Sequence, residues 1–284
     1  MNILITGANG QLGNELRNIS GNYINFRFFF TDVAELDITS PDAINVFFKK
    51  NSIQAVINCA AYTAVDKAES DEPTAMLINA TAVGYLANAC NNAGATLIHI
   101  STDYVYDGCS CKPYGEDYPA APVSVYGRTK LAGEKAALKT SRSAIIRTSW
   151  LYSPFGVNFV KTMLRLGKER ETLNVVFDQA GTPTYAADLA HAVMEIVKAA
   201  EGNNFIPGIF NYSNEGVCSW YDFAREIMQQ ASLKCVVLPI ETKDYPTPAT
   251  RPHFSVLNKA RIKEAYGLKI PHWKDSLTKC LAEI

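Results

Sequence analysis

The hydrophobic positions along the chain follow two rhythms. In the first half, short apolar runs alternate with segments of helical period. "NILIT", "FRFFF", "QAVINCAA", "ATLIHIST" and "SAIIRTSWLY" have the length and character of buried parallel strands. Between them, "QLGNELRNI", "SPDAINVFFKKN" and "NATAVGYLANACNNAG" read as amphipathic helices, the last closed by Gly94. Repeated β-α units predict a right-handed, doubly wound parallel sheet.

After about Trp150 the rhythm loosens. Helices are expected at "NFVKTMLRLGKE", "AADLAHAVMEIVKAA" and "SWYDFAREIMQQA". The last opens on Ser219 with Asp222 three places on, a capping signal. Irregular polar and aromatic stretches lie between them: "DQAGTPTY", "GIFNYSNEG" and "YPTPATRPH". Such segments suit a smaller α+β lobe set over the strand ends. The expected division is residues 1–149 for the parallel sheet and 150–284 for a closely fused substrate lobe. A strand near 172–178 is a candidate to return to the first sheet. No internal repeat or flexible linker interrupts the chain.

Length and composition narrow the classes. The 284 residues, 48% hydrophobic, suffice for one large core or two fused ones. A net charge of −1 with no basic stripe argues against nucleic acid and anionic membrane as partners. The first residues form too short an apolar run for a secretory leader, and no run reaches the length of a membrane span. With seven scattered cysteines, reduced thiols and a cytoplasmic location are expected. Cys109 and Cys111 form a lone C-x-C; without a second pair at metal-site spacing they are expected to be loop thiols, and no metal ligand is assigned.

Candidate chemistry begins at "TGANGQLG". Gly7, Gly10 and Gly13 follow a strand and open a helix, the context in which such glycines cradle a dinucleotide pyrophosphate at a helix N-terminus. A Rossmann fold is therefore expected. The second strand ends at Asp32, close to the roughly twenty-residue offset of a carboxylate on the adenosine ribose. An acid there accepts from the 2′-hydroxyl and repels a 2′-phosphate, so NADH is expected to bind at least as well as NADPH. Asp37 is a rival for the same place.

The second candidate is "VYGRTKLAGEK". On a helix Tyr126 and Lys130 share a face, roughly 5–6 Å apart at Cβ. The lysine charge is expected to lower the tyrosine pKa from about 10 and make it a usable proton donor and acceptor. Spacing alone is a weak signal. Placement strengthens it, because the pair opens the helix after the strand ending "ISTDYVYDG". Ser101, Thr102 and Asp103 lie at that carboxyl end, where open α/β sheets bind ligands. A Thr102 hydroxyl there can align a substrate oxygen against the Tyr126 phenol.

With these segments, and with "AAYTAVDKAE", "RTSWLY", "NFVKTML", "TPTYAADLA" and "YPTPATRPHFSVL", nearly the whole chain resembles the extended short-chain dehydrogenase/reductase family. "TAVDKAE" and "PTPATRP" point to a nucleotide-sugar reductase branch. The resemblance implies reduction of the C4 ketone of dTDP-4-dehydro-L-rhamnose to dTDP-L-rhamnose by NADPH or NADH. It implies Thr102, Tyr126 and Lys130 as the catalytic trio. It sets Gly10, Gln11 and Leu12 on the cofactor phosphates, Asp32 and Asp37–Ile38 near the adenosine, and Ala61, Tyr62 and Thr63 along the cofactor channel. Thr102, Asp103 and Trp150 would meet the nucleotide-sugar, and the planar fork of Arg251 suits its diphosphate. In some relatives magnesium bridges a dimer through glutamates. Glu15 matches one such position, whereas Ala187–Asp188 stand where a later glutamate is expected. Monomer and homodimer both stay open.

Two rivals remain at this point. One is a nucleotide-sugar epimerase or dehydratase of the same fold, which retains and recycles its cofactor. The other is a non-catalytic subunit resembling the regulatory subunit of methionine adenosyltransferase.

Overall fold

A computed structural model describes residues 1–284. The first half runs β1 (Asn2–Thr6), α1 (Gln11–Ile19), β2 (Arg27–Thr31), α2 (Pro41–Asn51) and β3 (Ala55–Asn58). Two short helices follow, α3 (Val65–Ala68) and α4 (Glu72–Met76), then one π turn (Leu77–Thr81) that runs into α5 (Ala82–Ala93). β4 (Thr96–Thr102), α6 (Val125–Ala137) and β5 (Ser143–Thr148) complete this half. The second half runs β6 (Leu151–Tyr152), α7 (Phe159–Glu169), β7 (Thr172–Val176), β8 (Ala180–Gly181), β9 (Thr184–Tyr185), α8 (Ala186–Glu201) and β10 (Gly208–Asn211). It ends with β11 (Cys218–Ser219), α9 (Trp220–Gln230), β12 (Val236–Ile240), α10 (Ala260–Tyr266) and α11 (Trp273–Leu281).

Local chemistry explains the element ends. Ser40 caps α2 by accepting from the Ala43 N–H, with Pro41 in the first turn. Gly94 takes a left-handed conformation after α5. Ser219 and Asp222 form the expected reciprocal capping box at α9.

Six parallel strands make the main sheet in the order β10-β5-β4-β3-β1-β2. The order reverses at β1, which sits between β2 and β3; such a switch point opens a crevice beyond the strand ends. The strands finish on polar residues: Thr6, Thr31, Asn58, Thr102, Thr148 and Asn211. One sheet face is covered by α1 and α8, the other by α2, α5 and α6.

Two findings revise the expected division. The segment near 172–178 does not return to the main sheet: β7 pairs in parallel with β12 in a separate two-stranded sheet. The returning strand is β10, beside β5. α8, from the second half, packs against α1 and contributes Leu189, Val193 and Ile196 to the first half's core. A long helix with so wide an apolar face must bury it, and the sheet is the larger apolar surface. A distinct core in the second half unites α7, α9, α11, β7 and β12.

Candidate active site

A cleft of about 790 Å³ runs across the strand ends. At its floor Gly7 has a φ of +63°, and a Cβ there would lie 2.7 Å from the Ala60 backbone. At Gly13 a Cβ would lie 2.5 Å from Ala8, so the turn and the close seating of α1 both need glycine. Gly10 differs. A Cβ there would meet only the Gly7 carbonyl, at 3.2 Å, and no side chain caps the first N–H groups of α1. Those free donors and the partial positive charge of the helix end fit a pyrophosphate. The cleft therefore fits a dinucleotide on chemical grounds.

Asp32 and Asp37 both line this end, with Val33, Ile38 and Thr39. Asp32 accepts from the Asn9 N–H at 3.1 Å, so it braces the glycine loop as well as facing the cleft. Asp37 is held by the Thr39 N–H and hydroxyl, which draw its carboxyl below the usual range. Lys130 is the only Lys or Arg among the lining residues. No cation lines the cleft beside Asp32 and Asp37.

Midway along the cleft β4 ends at Thr102 and α6 begins. Ser124 caps α6, accepting from the Gly127 N–H at 3.1 Å. Tyr126 and Lys130 follow on one face of the helix and both line the cleft with Thr102 and Asp103. The seating is tight: a Cβ on Gly133 would lie 2.0 Å from the Asn79 carbonyl oxygen. Glycine inside a helix costs about 1 kcal/mol relative to alanine, and here close approach requires it.

The expectation that Lys130 lowers the Tyr126 pKa is not met. Burial pushes the Tyr126 phenol up to about 12; the Thr102 hydroxyl lowers it and the Asp103 carboxylate raises it further. No hydrogen bond joins the phenol to Lys130, whose Nζ donates to the Ile100 carbonyl at 2.7 Å. Burial lowers Lys130 itself to about 8. Asp103 is buried: Oδ1 accepts from the Thr102 hydroxyl at 3.0 Å, Oδ2 has no partner within hydrogen-bond geometry, and burial pushes the carboxyl up to about 6 against the nearby Ser255 and Thr102 hydroxyls, which lower it. The centre thus holds a neutral phenol, a buried carboxyl with a free oxygen, and an ammonium whose charge is easily lost.

On the substrate side Trp150 lines the cleft. Its φ of +48° is a strained value for a bulky side chain. The ring is fixed by stacking on Trp220, with centroids 3.6 Å apart. Two expected residues lie outside the cleft lining. Tyr62 is turned away: its N–H donates to Asn79 Oδ1 at 2.8 Å and its hydroxyl to Asp71 at 3.2 Å, leaving Ala61 and Thr63 to line the channel. Arg251 forms a two-pronged ion pair with Asp66, at 2.9 and 2.7 Å, and donates to the Ala249 carbonyl. A fork that suits a diphosphate also suits a carboxylate, and here one is in reach.

Some supporting residues carry no motif signal. Gln11 is more than a phosphate neighbour: its side-chain oxygen accepts from Ser153 at 3.1 Å and Asn158 at 3.0 Å, tying the glycine loop to the loop before α7. Asn79, in the π turn, donates to Thr129 of α6 at 3.0 Å while holding the backbone of Tyr62. The polar residues one strand or helix turn behind a motif were the available clue. Glu15 is buried near Glu283 and Asp188, and burial with their charges pushes it up to about 7. No group of three or more His, Cys, Asp or Glu side chains is arranged to hold a metal ion. All seven cysteines are free thiols, with Cys109 and Cys111 exposed.

A parallel sheet with a glycine-turn cleft at its switch point, and a threonine, tyrosine and lysine at the centre, defines a nicotinamide-dependent oxidoreductase of the short-chain type. The family described as RmlD substrate binding domain matches residues 1–284. The chain is 40% identical to dTDP-4-dehydrorhamnose reductase of Escherichia coli (strain K12), over 100% of this chain and 98% of that protein. It is also 40% identical to spore coat polysaccharide biosynthesis protein SpsK of Bacillus subtilis (strain 168), over 99% and 97%. The crystal structure of a dTDP-4-dehydrorhamnose reductase from Clostridium acetobutylicum matches with a TM-score of 0.94 at 43% identity, over 100% of this chain and 99% of that one. That of the Bacillus anthracis reductase in complex with NADP matches at 0.95 and 38% identity, with the same coverage. The chain belongs to this family, the dTDP-4-dehydrorhamnose reductases. No helix is long and apolar enough to cross a membrane.

Proposed function

We propose that the chain reduces the C4 ketone of dTDP-4-dehydro-L-rhamnose to dTDP-L-rhamnose with NADH or NADPH. The observation that carries this is the convergence of Thr102, Tyr126 and Lys130 in one cleft with the glycine loop, in a chain that matches the reductase family throughout. Residues 1–149 act mainly as the dinucleotide-binding domain and 150–284 as the substrate-binding lobe, with α8 and β10 lent to the first.

The glycine loop and the first turn of α1 hold the pyrophosphate, and Asp32 receives the adenosine ribose hydroxyls. Lys130 holds the nicotinamide ribose. When bound, the reduced nicotinamide supplies the hydride. Thr102, whose hydroxyl donates to Asp103 Oδ1 at 3.0 Å, turns that proton to the substrate ketone and aligns it against Tyr126. Tyr126 gives its proton to the C4 oxygen as charge develops there. A phenol held neutral at pH 7 is the correct form for that step, since a reduction needs a donor. The free Oδ2 of Asp103 accepts from a sugar hydroxyl. Trp150 packs against the nucleotide-sugar, and Arg251 exchanges Asp66 for the diphosphate. Orientation and a shielded site are what the protein contributes.

The test is cofactor oxidation by purified protein, with the ketosugar generated in place and each cofactor supplied separately. Formation of dTDP-L-rhamnose with loss of reduced cofactor is the expected result, with NADH used at least as well as NADPH. Turnover of a nucleotide-sugar without added reductant overturns the reading in favour of an epimerase or dehydratase. A folded protein that oxidises neither cofactor overturns it in favour of a non-catalytic subunit.

A further inference from the structure

The roles proposed above leave unused a buried charge cluster on the inner side of α6. Glu134 lies one turn beyond Lys130, with its side chain 1% exposed; that of its partner Arg147, on β5, is 3% exposed. The carboxylate accepts from Arg147 Nε at 2.9 Å, from Nη2 at 2.6 Å, and from Ser101 Oγ at 2.5 Å. Arg147 Nη1 donates onward to the Tyr106 hydroxyl at 2.8 Å, which donates to the Gly115 carbonyl at 3.1 Å. A buried ion pair is an expensive way to seat a helix, because apolar side chains of similar volume often do so as well or better.

Its place suggests another use. Burial disfavours the charged form of Lys130, and Glu134 is the foremost group opposing that. Of the other titratable groups around Lys130, only the Cys59 thiol favours its charge, and less than Glu134 does. The Cys59 thiol is pushed up to about 12 and the Tyr126 phenol also to about 12, so both are neutral. His99 is held neutral by burial and by Lys130 itself. Asp103 acts on Tyr126 and is itself poised near 6. Arg147 has the wrong sign.

We propose that Glu134 is a positioning residue for the reduction: locked by Arg147 and by Ser101, the β4 residue next to the Ile100 carbonyl that receives Lys130 Nζ, its carboxylate sets the electrostatics in which the buried Lys130 ammonium meets the cofactor ribose. The proposal rests on the reductase reading of the cleft. It makes the Glu134 carboxylate an electrostatic setting for Lys130, with Arg147 and Ser101 holding that carboxylate.

The test follows NADH affinity by fluorescence titration between pH 6 and 10, with ketosugar turnover measured beside it. Wild type is expected to lose affinity at its alkaline limb as Lys130 loses its proton. Glu134→Gln moves that limb down by about one pH unit or more, since a compensating charge is gone and Arg147 is left alone. The double variant Glu134→Met/Arg147→Met packs the site without charge, so it does not depend on a folded single variant; its limb moves down. Glu134→Asp restores the limb toward wild type. A purely structural pair predicts loss of stability in the single variants with the limb unmoved, and an unmoved limb in the double variant overturns the proposal. So does a wild type with no alkaline limb. Wild type that binds NADH with a normal limb but never reduces the ketone overturns the reductase reading alone, and the limb shifts still judge Glu134.

Discussion

The two halves of the molecule build their shares of the cleft by different means. In the first half the site residues sit at strand ends and helix starts: Gly7 after β1, Asp32 after β2, Thr102 at the end of β4, Tyr126 at the start of α6. Backbone topology carries them there. In the second half the cleft is held by single side-chain contacts across the molecule. Trp150 leans on Trp220, Arg251 on Asp66, and the loop before α7 on Gln11. A backbone-built site tolerates change everywhere except at its few defining atoms. A contact-built site depends on each partner, and its residues can be claimed by a neighbour, as Arg251 is by Asp66.

The largest expected effect sits in the backbone-built half. Tyr126→Phe should lower turnover by on the order of 10²–10⁴ and leave NADH affinity near wild type, measured by steady-state kinetics beside fluorescence titration. Near-normal turnover would remove the proton-donor role and with it the sharpest feature of that half.

Next come the glycines, which separate fold from ligand. Gly133→Ala drives a methyl into the Asn79 carbonyl and should cost on the order of 1–3 kcal/mol in urea unfolding. Gly10→Ala meets only one atom at 3.2 Å. It should keep nearly full stability and weaken cofactor binding instead. Equal stability losses in the two variants would dissolve the distinction.

In the contact-built half, Trp220→Ala should free the Trp150 ring. An aromatic pair is worth about 0.5–1.5 kcal/mol beyond its area, so KM for the nucleotide-sugar should rise about two- to tenfold. NADH affinity should not move. A fall in NADH affinity of the same size would show that the two halves are not separable.

The smallest effect is on the pH dependence of stability. Burial raises Asp103 from 3.8 to about 6. The folded state therefore binds this proton more tightly than the unfolded one. The resulting stability is fully present below about pH 3.8 and is lost as pH rises through about 6. Thermal melts of Asp103→Asn should show a shallower decline across that window than wild type. Glu15, raised from 4.5 to about 7, adds a decline of the same sign at slightly higher pH, which Glu15→Gln should remove. Parallel curves for wild type and Asp103→Asn would place the carboxyl in a wetter setting.

Much of this was legible in the chain because it is local. Apolar period identified the strands and helices of the sheet, and glycine spacing after β1 marked the cradle. The Tyr126–Lys130 interval, with its position after β4, marked the centre. The misses share a physical cause. Tyr62 belongs to a well-marked segment, yet its direction is set by Asn79 and Asp71, 17 and 9 residues further along the chain. β7 reads as a good strand, and no strand sequence states which neighbour it will pair with; β12 was the available edge. A neighbour four residues away predicts a lowered Tyr126 pKa, whereas burial raises it.

By itself the sequence determined the fold class and named the glycines, Thr102, Tyr126 and Lys130 that come to line one cleft, because periodicity and residue types at short, fixed spacings are local. Tertiary structure alone decided which way Tyr62 and Arg251 face, that β10 closes the sheet, and that Lys130 lies between burial and Glu134. Those outcomes depend on desolvation and on charges brought close from distant parts of the chain. No interval along the sequence encodes either.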